Sequence, residues 1–527
     1  MNNCNVEQPR ATSAMAANQK QFQRVDSSAF YAMLPPAYNS FYQNWVRFWL
    51  QWYDGYVDII HGGSNGLLST GIGATIVNRA ADLVFGGNLI FSNSRKPKIT
   101  TMKDDKVIGS ALKFISTDWS FETDFKQHVK RAVRFAFAGG VSLLKLNNEG
   151  GKLWVDALRA DRFFYEMTGR GELRRVISIL NFYTDTLSSG SNRQRFALIE
   201  DRHYEPINMY GDEIPVVEYK MYRANTPIQY LTINENSVPW EELPKEVRSA
   251  FKKSYDFKLN NPQWLKGFSD LGCFVFLGSD GVSDVPDIQI GESLLAHVTT
   301  YLYEYDFYNT CFNTDLYLAR GRVIVPKSMQ GPNAGAQNAG LDNFLFTKID
   351  TMTTDDQKPV PVQFDLRATE WREARNILLE SIATGIGLSV STLASYLNDG
   401  SNRTAREVSA EESATTLFVE NARRRFEKPI NDCLCDVLRF YGYVDDVEVR
   451  WSKAGMTNPT VMVEYLSKAK EAGLISPKKA HQAFNFDDDV ELVEEDWKLV
   501  EQAQAEQKNS LFDLNDETLG NSEERRA

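Results

Sequence analysis

The sequence predicts a helix-rich α+β protein organised around one very long helix. Two observations carry this prediction. Residues 404–441 place apolar side chains at spacings of three, four and seven, which is typical of an amphipathic helix. Between residues 141 and 223 the pattern changes to strand-like runs separated by loops rich in Gly, Ser and Asn. The first two runs flank Asn148–Gly151, which predicts a hairpin, and three further runs lie at 172–183, 195–205 and 216–223. Such runs favour a mostly antiparallel sheet beside the helices.

The long helix is predicted to begin at a capping box and to end at a glycine. Thr404 and Glu407 have the spacing at which each side chain accepts a hydrogen bond from the other residue's backbone N–H. Gly442 is placed to end the helix in the left-handed conformation. Pro429 removes the hydrogen bond to the carbonyl four residues earlier, which predicts a kink. The predicted buried face comprises Val408, Thr415, Val419, Ala422, Phe426, Ile430, Leu434, Val437 and Tyr441.

Composition bounds the class of protein. The 527 residues are 43% hydrophobic and 24% charged, which is ordinary for a globular chain of two to four domains. The net charge of −12 argues against a broad basic surface that grips nucleic acid. Five scattered cysteines fit neither a zinc site nor a disulfide framework, so a reducing cytoplasm is the simplest compartment. The aromatic stretch 41–60 contains charges that disqualify it as a membrane span and is predicted to be a core-facing helix.

The motifs of common catalytic sites do not occur in the sequence. It shows no nucleophile elbow, no phosphate-binding loop and no paired metal-binding histidines, so we expect no enzyme activity, metal or cofactor. The two basic clusters are Arg403 with Arg406, and 423–425. We interpret them mainly as helix-surface charges paired with nearby glutamates, with subunit or DNA contacts as the alternative.

Several segments, taken in their order, resemble the portal proteins of tailed bacteriophages. These proteins form the ring at one capsid vertex through which double-stranded DNA is packaged and ejected. The segments are TIVNRAADLVFGG, FKQHVKRAVRFAFAGGVSLLKLNNEGGKLWVDALRADRFF, the helices predicted from Pro286 and over 366–384 with the insertion between them, and SNRTAREVSAEES. Before this last helix the family often has a Ser-Gly pair, where this chain has Ser401-Asn402.

The resemblance implies a portal-like protomer with an α/β wing, a two-helix stem, a small β-containing clip, a long kinked helix and a helical crown. The implied divisions are a flexible N-terminal arm at 1–40, the wing at 41–284, stem helix one at 285–318, the clip at 319–362, stem helix two at 363–386, a channel loop at 387–402, the long kinked helix at 403–442, the crown at 443–497 and an acidic, polar tail at 498–527.

The same resemblance implies a ring of about twelve copies in the virion, assembled in the host cytoplasm and without a membrane. Its implied partners are weakly and non-specifically held duplex DNA, the terminase motor, the major capsid protein and a head–tail adaptor. The residues expected in the DNA-channel loop are Ser389, Ser391, Ser395, Asn398, Asp399, Ser401, Asn402 and Arg403. The residues expected to dock partners at the clip are Arg320, Arg322, Lys327 and the stretch from Gln330 to Gly340.

Two other interpretations remain open. One is an enzyme or helical scaffold whose central helices form the core of a monomer, and the oligomer size in solution distinguishes it. The other is a different ring-forming virion component, such as a short connector, which should lack the insertion at 319–362.

Overall fold

The architecture is α+β, as predicted. The computed structural model of the protein describes residues 45–55, 69–85, 89–93, 111–149, 151–168, 171–184, 195–206, 213–224, 233–254, 258–265, 268, 270–279, 291–319, 322–326, 346–349, 360–362, 367–393, 405–443, 447–451, 467–468, 470, 476–478, 481 and 497–502. The principal helices are α1 (Arg47–Asp54), α2 (Ile72–Phe85), α3 (Phe125–Gly139), α4 (Lys245–Ser254), α5 (Thr299–Leu318), α6 (Ala368–Ile386), α7 (Val390–Leu393) and α8 (Ala405–Phe440). The strands are β1 (Leu89–Asn93), β2 (Val141–Glu149), β3 (Lys152–Arg159), β4 (Phe163–Met167), β5 (Leu173–Thr184), β6 (Arg195–Pro206), β7 (Glu213–Ala224), β8 (Ile233–Ser237), β9 (Gln263–Trp264), β10 (Cys273–Leu277), β11 (Arg322–Pro326), β12 (Phe346–Ile349), β13 (Val360–Val362) and β14 (Val447–Trp451).

The chain divides into two compact units. The described part of the first lies within Asp161–Lys266, and the second comprises Trp45–Ala160 and Gly267–Ala527. We call them the sheet unit and the helical unit. The finer division into wing, stem, clip and crown stays a prediction.

The sheet unit is a six-stranded antiparallel sheet in the order β4-β5-β6-β7-β8, with β9 also paired to β7. One face of the sheet packs on α4 through Val247 and Phe251. The strand-and-loop pattern does not predict α4, because five of its ten residues are charged. Leu243, Val247 and Phe251 recur every four residues and supply the apolar edge that this short helix needs.

The helical unit is organised around α8, and the predicted long helix is confirmed. Phe426 lies between Phe137 of α3 and Phe276 of β10, with ring centroids 5.6 and 5.7 Å away. The predicted face is buried at Thr415, Val419, Ala422, Phe426, Ile430, Leu434 and Val437. Gly442 ends the helix with φ +81°, and the Tyr443 N–H donates to the Leu438 carbonyl at 2.9 Å.

The predicted kink and the predicted capping box of α8 stay predictions. The helix continues through Pro429, where the kink is predicted. The capping box lies outside the described residues, because Thr404 and the side chain of Glu407 are not among them.

Arg423 corrects the prediction that the basic cluster 423–425 lies on the helix surface. Its side chain is buried, with 9% exposure for the residue. Its Nε donates to the Val84 carbonyl at 2.8 Å, and its guanidinium lies 5.5 Å from the ring centroid of Trp451. The guanidinium therefore donates a hydrogen bond at the C-terminal end of α2, where carbonyl groups lack intrahelical partners. Arg424, by contrast, has a side chain that is 76% exposed and lies 4.0 Å from Glu420.

We predict that Arg423→Met destabilises the protein by about 2–4 kcal/mol, because it removes a charge-assisted hydrogen bond and a cation–π contact from a buried site. Arg424→Met is the matched control and should change stability by less than about 0.5 kcal/mol. Chemical denaturation followed by tryptophan fluorescence compares the two. Equal denaturation midpoints would contradict the structural role of Arg423.

The start of α5 is a second correction. A helix was expected from near Pro286, but Gly291, Glu292 and Ser293 are not helical and α5 begins only at Thr299. This segment instead caps α3, since the Leu294 N–H and the Ser293 hydroxyl donate to the Phe137 carbonyl at 2.9 Å each. Tertiary capping of a neighbouring helix has overridden a local start signal.

Three glycines allow that segment to approach. A Cβ on Gly140, whose φ is +84°, would lie 2.2 Å from the Gly291 carbonyl oxygen. One on Gly278 would lie 2.4 Å from the Ala136 carbonyl oxygen and 2.8 Å from that of Glu292. One on Gly291 would lie 2.7 Å from the Gly140 carbonyl oxygen. The backbones therefore touch where any side chain would collide.

Smaller sheets complete the described part of the helical unit. The predicted hairpin β2–β3 is confirmed, and β10 pairs on the other side of β2. β1 pairs with β14, while β11 is parallel to β12 and antiparallel to β13. Arg322 opens β11, whereas Arg320, Lys327, Gln330 and Gly340 lie outside the described residues. Within the described helices, none combines the length and the apolar character needed to cross a bilayer.

Candidate functional site

Helices α5 and α6 pack against each other through an aromatic cluster. Trp371 of α6 lies edge-on to Tyr308 and Phe312 of α5, with ring centroids 5.1 and 5.9 Å away. The Tyr308 hydroxyl donates to the Trp371 backbone carbonyl. Large aromatic rings in this geometry fix the register of the two helices.

Asp315 links the C-terminal end of α5 to the N-terminal end of α6. Its Oδ2 accepts hydrogen bonds from Arg367 at 2.8 Å and from the Trp371 indole N–H at 2.9 Å. These two donors hold the pKa of the Asp315 carboxyl below its usual value. The end of the helix pair that adjoins β11 and β13 in sequence is thus tied by a charged hydrogen-bond network.

The outer side of the pair is apolar and open. A groove of about 400 Å³ lies between the helices and is lined by Glu304, Phe307, Tyr308, Cys311, Trp371, Ala374, Ile377 and Leu378. Phe307 is 47% exposed and Ile377 is 63% exposed. Tyr301, Tyr303 and Leu316 of α5 are also exposed.

Apolar side chains on both sides of α5 indicate that this groove is part of an interface. Leu302, Tyr305 and Tyr308 are buried inside the helical unit, yet tyrosine and phenylalanine also occupy its outward positions. A helix that is apolar on opposite sides is normally buried on both. Contiguous exposed apolar surface marks an interaction site. The α5–α6 groove is therefore the best candidate for an interface in the described part of the chain.

A second strip of α5 is polar and uncharged. Asn309, Thr310, Asn313 and Thr314 donate from their side chains to carbonyls four residues earlier in the helix, at 2.7 to 3.0 Å. These donors are already satisfied within the helix, so this strip offers neutral and weakly interacting groups to any ligand.

The predicted channel loop is partly helical. Val390–Leu393 form the single turn α7, which begins within the segment 387–402 that was expected to be a loop. Ser389 is buried with 6% exposure, and Ser391 lies in α7. The burial of Ser389 argues against its predicted place in the part of the loop that projects into the channel. The remaining predicted channel residues, Ser395, Asn398, Asp399, Ser401, Asn402 and Arg403, lie outside the described residues.

Ser389 instead belongs to a hydroxyl cluster with Thr392 and Thr415. The Ser389 N–H donates to Thr415 Oγ1 at 2.9 Å, and the Ser389 and Thr392 hydroxyls are 2.6 Å apart. Thr392 Oγ1 lies 3.4 Å from Thr415 Oγ1. The side chain of Thr415 was predicted only as part of the buried face of α8. Its partner 26 residues earlier carries no signal in the sequence pattern.

Among the described residues, no three side chains of His, Cys, Asp or Glu come together as possible metal ligands. The described cysteines, Cys273, Cys311, Cys433 and Cys435, are thiols outside any disulfide. Burial raises the pKa of the Cys433 thiol well above its usual value, which leaves it inert.

Comparison with known proteins identifies a family. The protein-family model described as "Phage portal protein, SPP1 Gp6-like" matches residues 137–510, which is well over half of the chain. A solved structure described as "Neck of native GTA particle computed with C12 symmetry" is similar at 12% sequence identity and a TM-score of 0.40. That match covers 82% of this chain and 94% of the other. No curated protein matches the chain.

Proposed function

This chain belongs to the SPP1 Gp6-like family of phage portal proteins, and from that membership we propose that it forms a closed ring at one vertex of the capsid, through which double-stranded DNA is packaged and later ejected. Portal proteins are structural components of the virion, so the chain acts by its shape and its surfaces. The proposed partners are further copies of the chain, the terminase motor, the major capsid protein and a head–tail adaptor. The ring of about twelve copies assembles in the host cytoplasm.

The α5–α6 groove is the observation that carries the proposal. In a ring, the apolar face of one protomer meets a neighbour around the whole circle, so every groove is covered and none is left open. In a monomer the same aromatic side chains would face water. The helical-scaffold alternative requires them to stay exposed, which makes it the weaker account.

The charge of the chain suits a channel that lets DNA slide. A net charge of −12 repels phosphates from the wall, and the neutral strip of α5 offers few strong contacts. The part of the predicted channel segment that follows α7, 394–402 with Arg403, is proposed to approach the duplex through neutral donors and one cation. Tight binding would oppose movement, because each step would have to break the contacts of the last one.

One purified preparation tests these points. Electron-microscopy class averages should show closed rings, and fluorescence anisotropy should give dissociation constants for duplex DNA well above micromolar, with a shallow salt dependence and no sequence preference. Monomers at micromolar concentration would contradict the ring. Nanomolar binding with a steep salt slope would mean that the protein clamps DNA.

The docking of partners is proposed for the small sheet of β11, β12 and β13 and the stretch around it. Arg320, Arg322 and Lys327 concentrate positive charge beside 330–340 in an otherwise acidic chain. Complementary charge guides the encounter with an acidic partner surface.

A further inference from the structure

We propose that Ser389, Thr392 and Thr415 are positioning residues, which hold the entry to the proposed channel segment on the long helix α8 through their hydroxyl groups. The inference rests on the proposed function for its consequence, since that function places the following residues beside DNA. The positioning itself is a property of one protomer and can be tested without a ring.

The cluster lies where the chain leaves α6. Gly387 closes that helix with φ +76°, and the Leu388 N–H donates to the Ala383 carbonyl at 3.0 Å. Ser389 follows at once and caps α7, since its Oγ accepts from the Thr392 N–H at 3.3 Å. The chain therefore changes direction within three residues, and Ser389 contacts α8 directly.

The hydroxyl of Thr415 supplies the hydrogen bond that joins Ser389 to α8. Thr415 is fully buried, and its Oγ1 accepts from the backbone N–H of Ser389. A buried N–H without a partner is costly, so Thr415 stabilises the bend by satisfying this group. Thr392 adds a side-chain link from α7 to both of the other residues.

The covalent connection between α7 and α8 does not by itself hold α7 against α8. Ala405 and Thr415 are ten residues apart in α8, which is about 15 Å of helix. The eleven residues 394–404 can extend over roughly 36 Å, more than twice that distance. The connection is long enough to let α7 leave α8. The hydroxyl cluster therefore fixes its position, together with the packing of Leu388.

Thr415→Val tests the proposal because valine keeps the shape of threonine and removes the acceptor. We expect the amides of the peptide 388–393 to exchange with deuterium about tenfold faster or more, measured by mass spectrometry on the full chain. Thr415→Ser keeps the hydroxyl and should restore wild-type exchange. Thr314→Val makes the same change on α5, where the hydroxyl donates to the Thr310 carbonyl of its own helix, and should leave the peptide unchanged.

Three outcomes would overturn the proposal: wild-type exchange in Thr415→Val, no rescue by Thr415→Ser, or an equal effect of Thr314→Val. Should Thr415→Val fail to fold, Ser389→Ala removes only the capping oxygen and should raise exchange in the same peptide. A failure of the proposed function would show separately, as a wild-type protein that does not form rings.

Discussion

Phe307→Asp is expected to leave the protomer folded and to abolish ring assembly. Phe307 lines the α5–α6 groove and is half exposed, so its replacement removes little packing inside the protomer. In a ring the same position would be covered, and a carboxylate there would lose apolar burial and its own hydration. The combined cost is about 3 kcal/mol or more at each interface, or a factor of more than 100 in association. A closed ring meets this cost at every interface.

Ile377→Asp introduces the same charge from the α6 side of the groove and should act in the same way. Phe307→Leu is the control, since it keeps an apolar side chain and should still assemble. Native mass spectrometry gives the oligomeric state, and circular dichroism melts confirm that the protomers remain folded. Wild-type rings from both aspartate variants would place the subunit interface elsewhere.

Elements with a strong apolar period were predictable from the sequence. The buried face of α8 follows the predicted positions from Thr415 to Val437, because α8 packs on the core along one continuous stripe. The three long strands and the β2–β3 hairpin were predicted for the same reason, since alternation and a Gly-containing turn are local signals. The existence and the type of these elements depend little on distant contacts.

For Arg423 the helical period of the sequence indicated burial, but the charge of the residue favoured exposure. It lies four residues after Val419 and three before Phe426, so the period of α8 places it on the buried face. Its charge favoured a surface position, because an arginine is buried only when it finds an acceptor. The acceptor is the Val84 carbonyl, 339 residues away, and no local pattern reports it.

The hydroxyl cluster of Ser389, Thr392 and Thr415 could not be predicted, because it too depends on a distant contact. Ser389 occurs in a stretch rich in Ser, Thr and Asn, whose composition indicates a solvated loop. Its burial depends on the neighbouring side of α8, where Thr415 supplies an acceptor. The α5–α6 groove was predictable in part, because aromatic residues recur around α5 at more positions than one face can hold.

Gly140→Ala is expected to be among the most destabilising single substitutions in the helical unit, with a loss of about 4 kcal/mol or more. Two costs are combined at this position. A left-handed backbone costs a residue with a Cβ about 1–2 kcal/mol. The new Cβ would also lie 2.2 Å from the Gly291 carbonyl oxygen, which is backbone and cannot rotate away. The substitution therefore forces the segment that enters α5 off the end of α3.

Gly151→Ala separates these two costs. Gly151 has φ +85°, close to that of Gly140, but nothing lies within 4 Å of the position of its Cβ. It should lose only the conformational cost of about 1–2 kcal/mol. Asparagine tolerates the left-handed conformation, so Gly151→Asn should recover part of that loss while Gly140→Asn should not. Thermal unfolding of the four variants, followed by circular dichroism, measures the differences. A Gly140→Asn variant as stable as Gly151→Asn would show that backbone conformation, and not the contact with Gly291, is what position 140 requires.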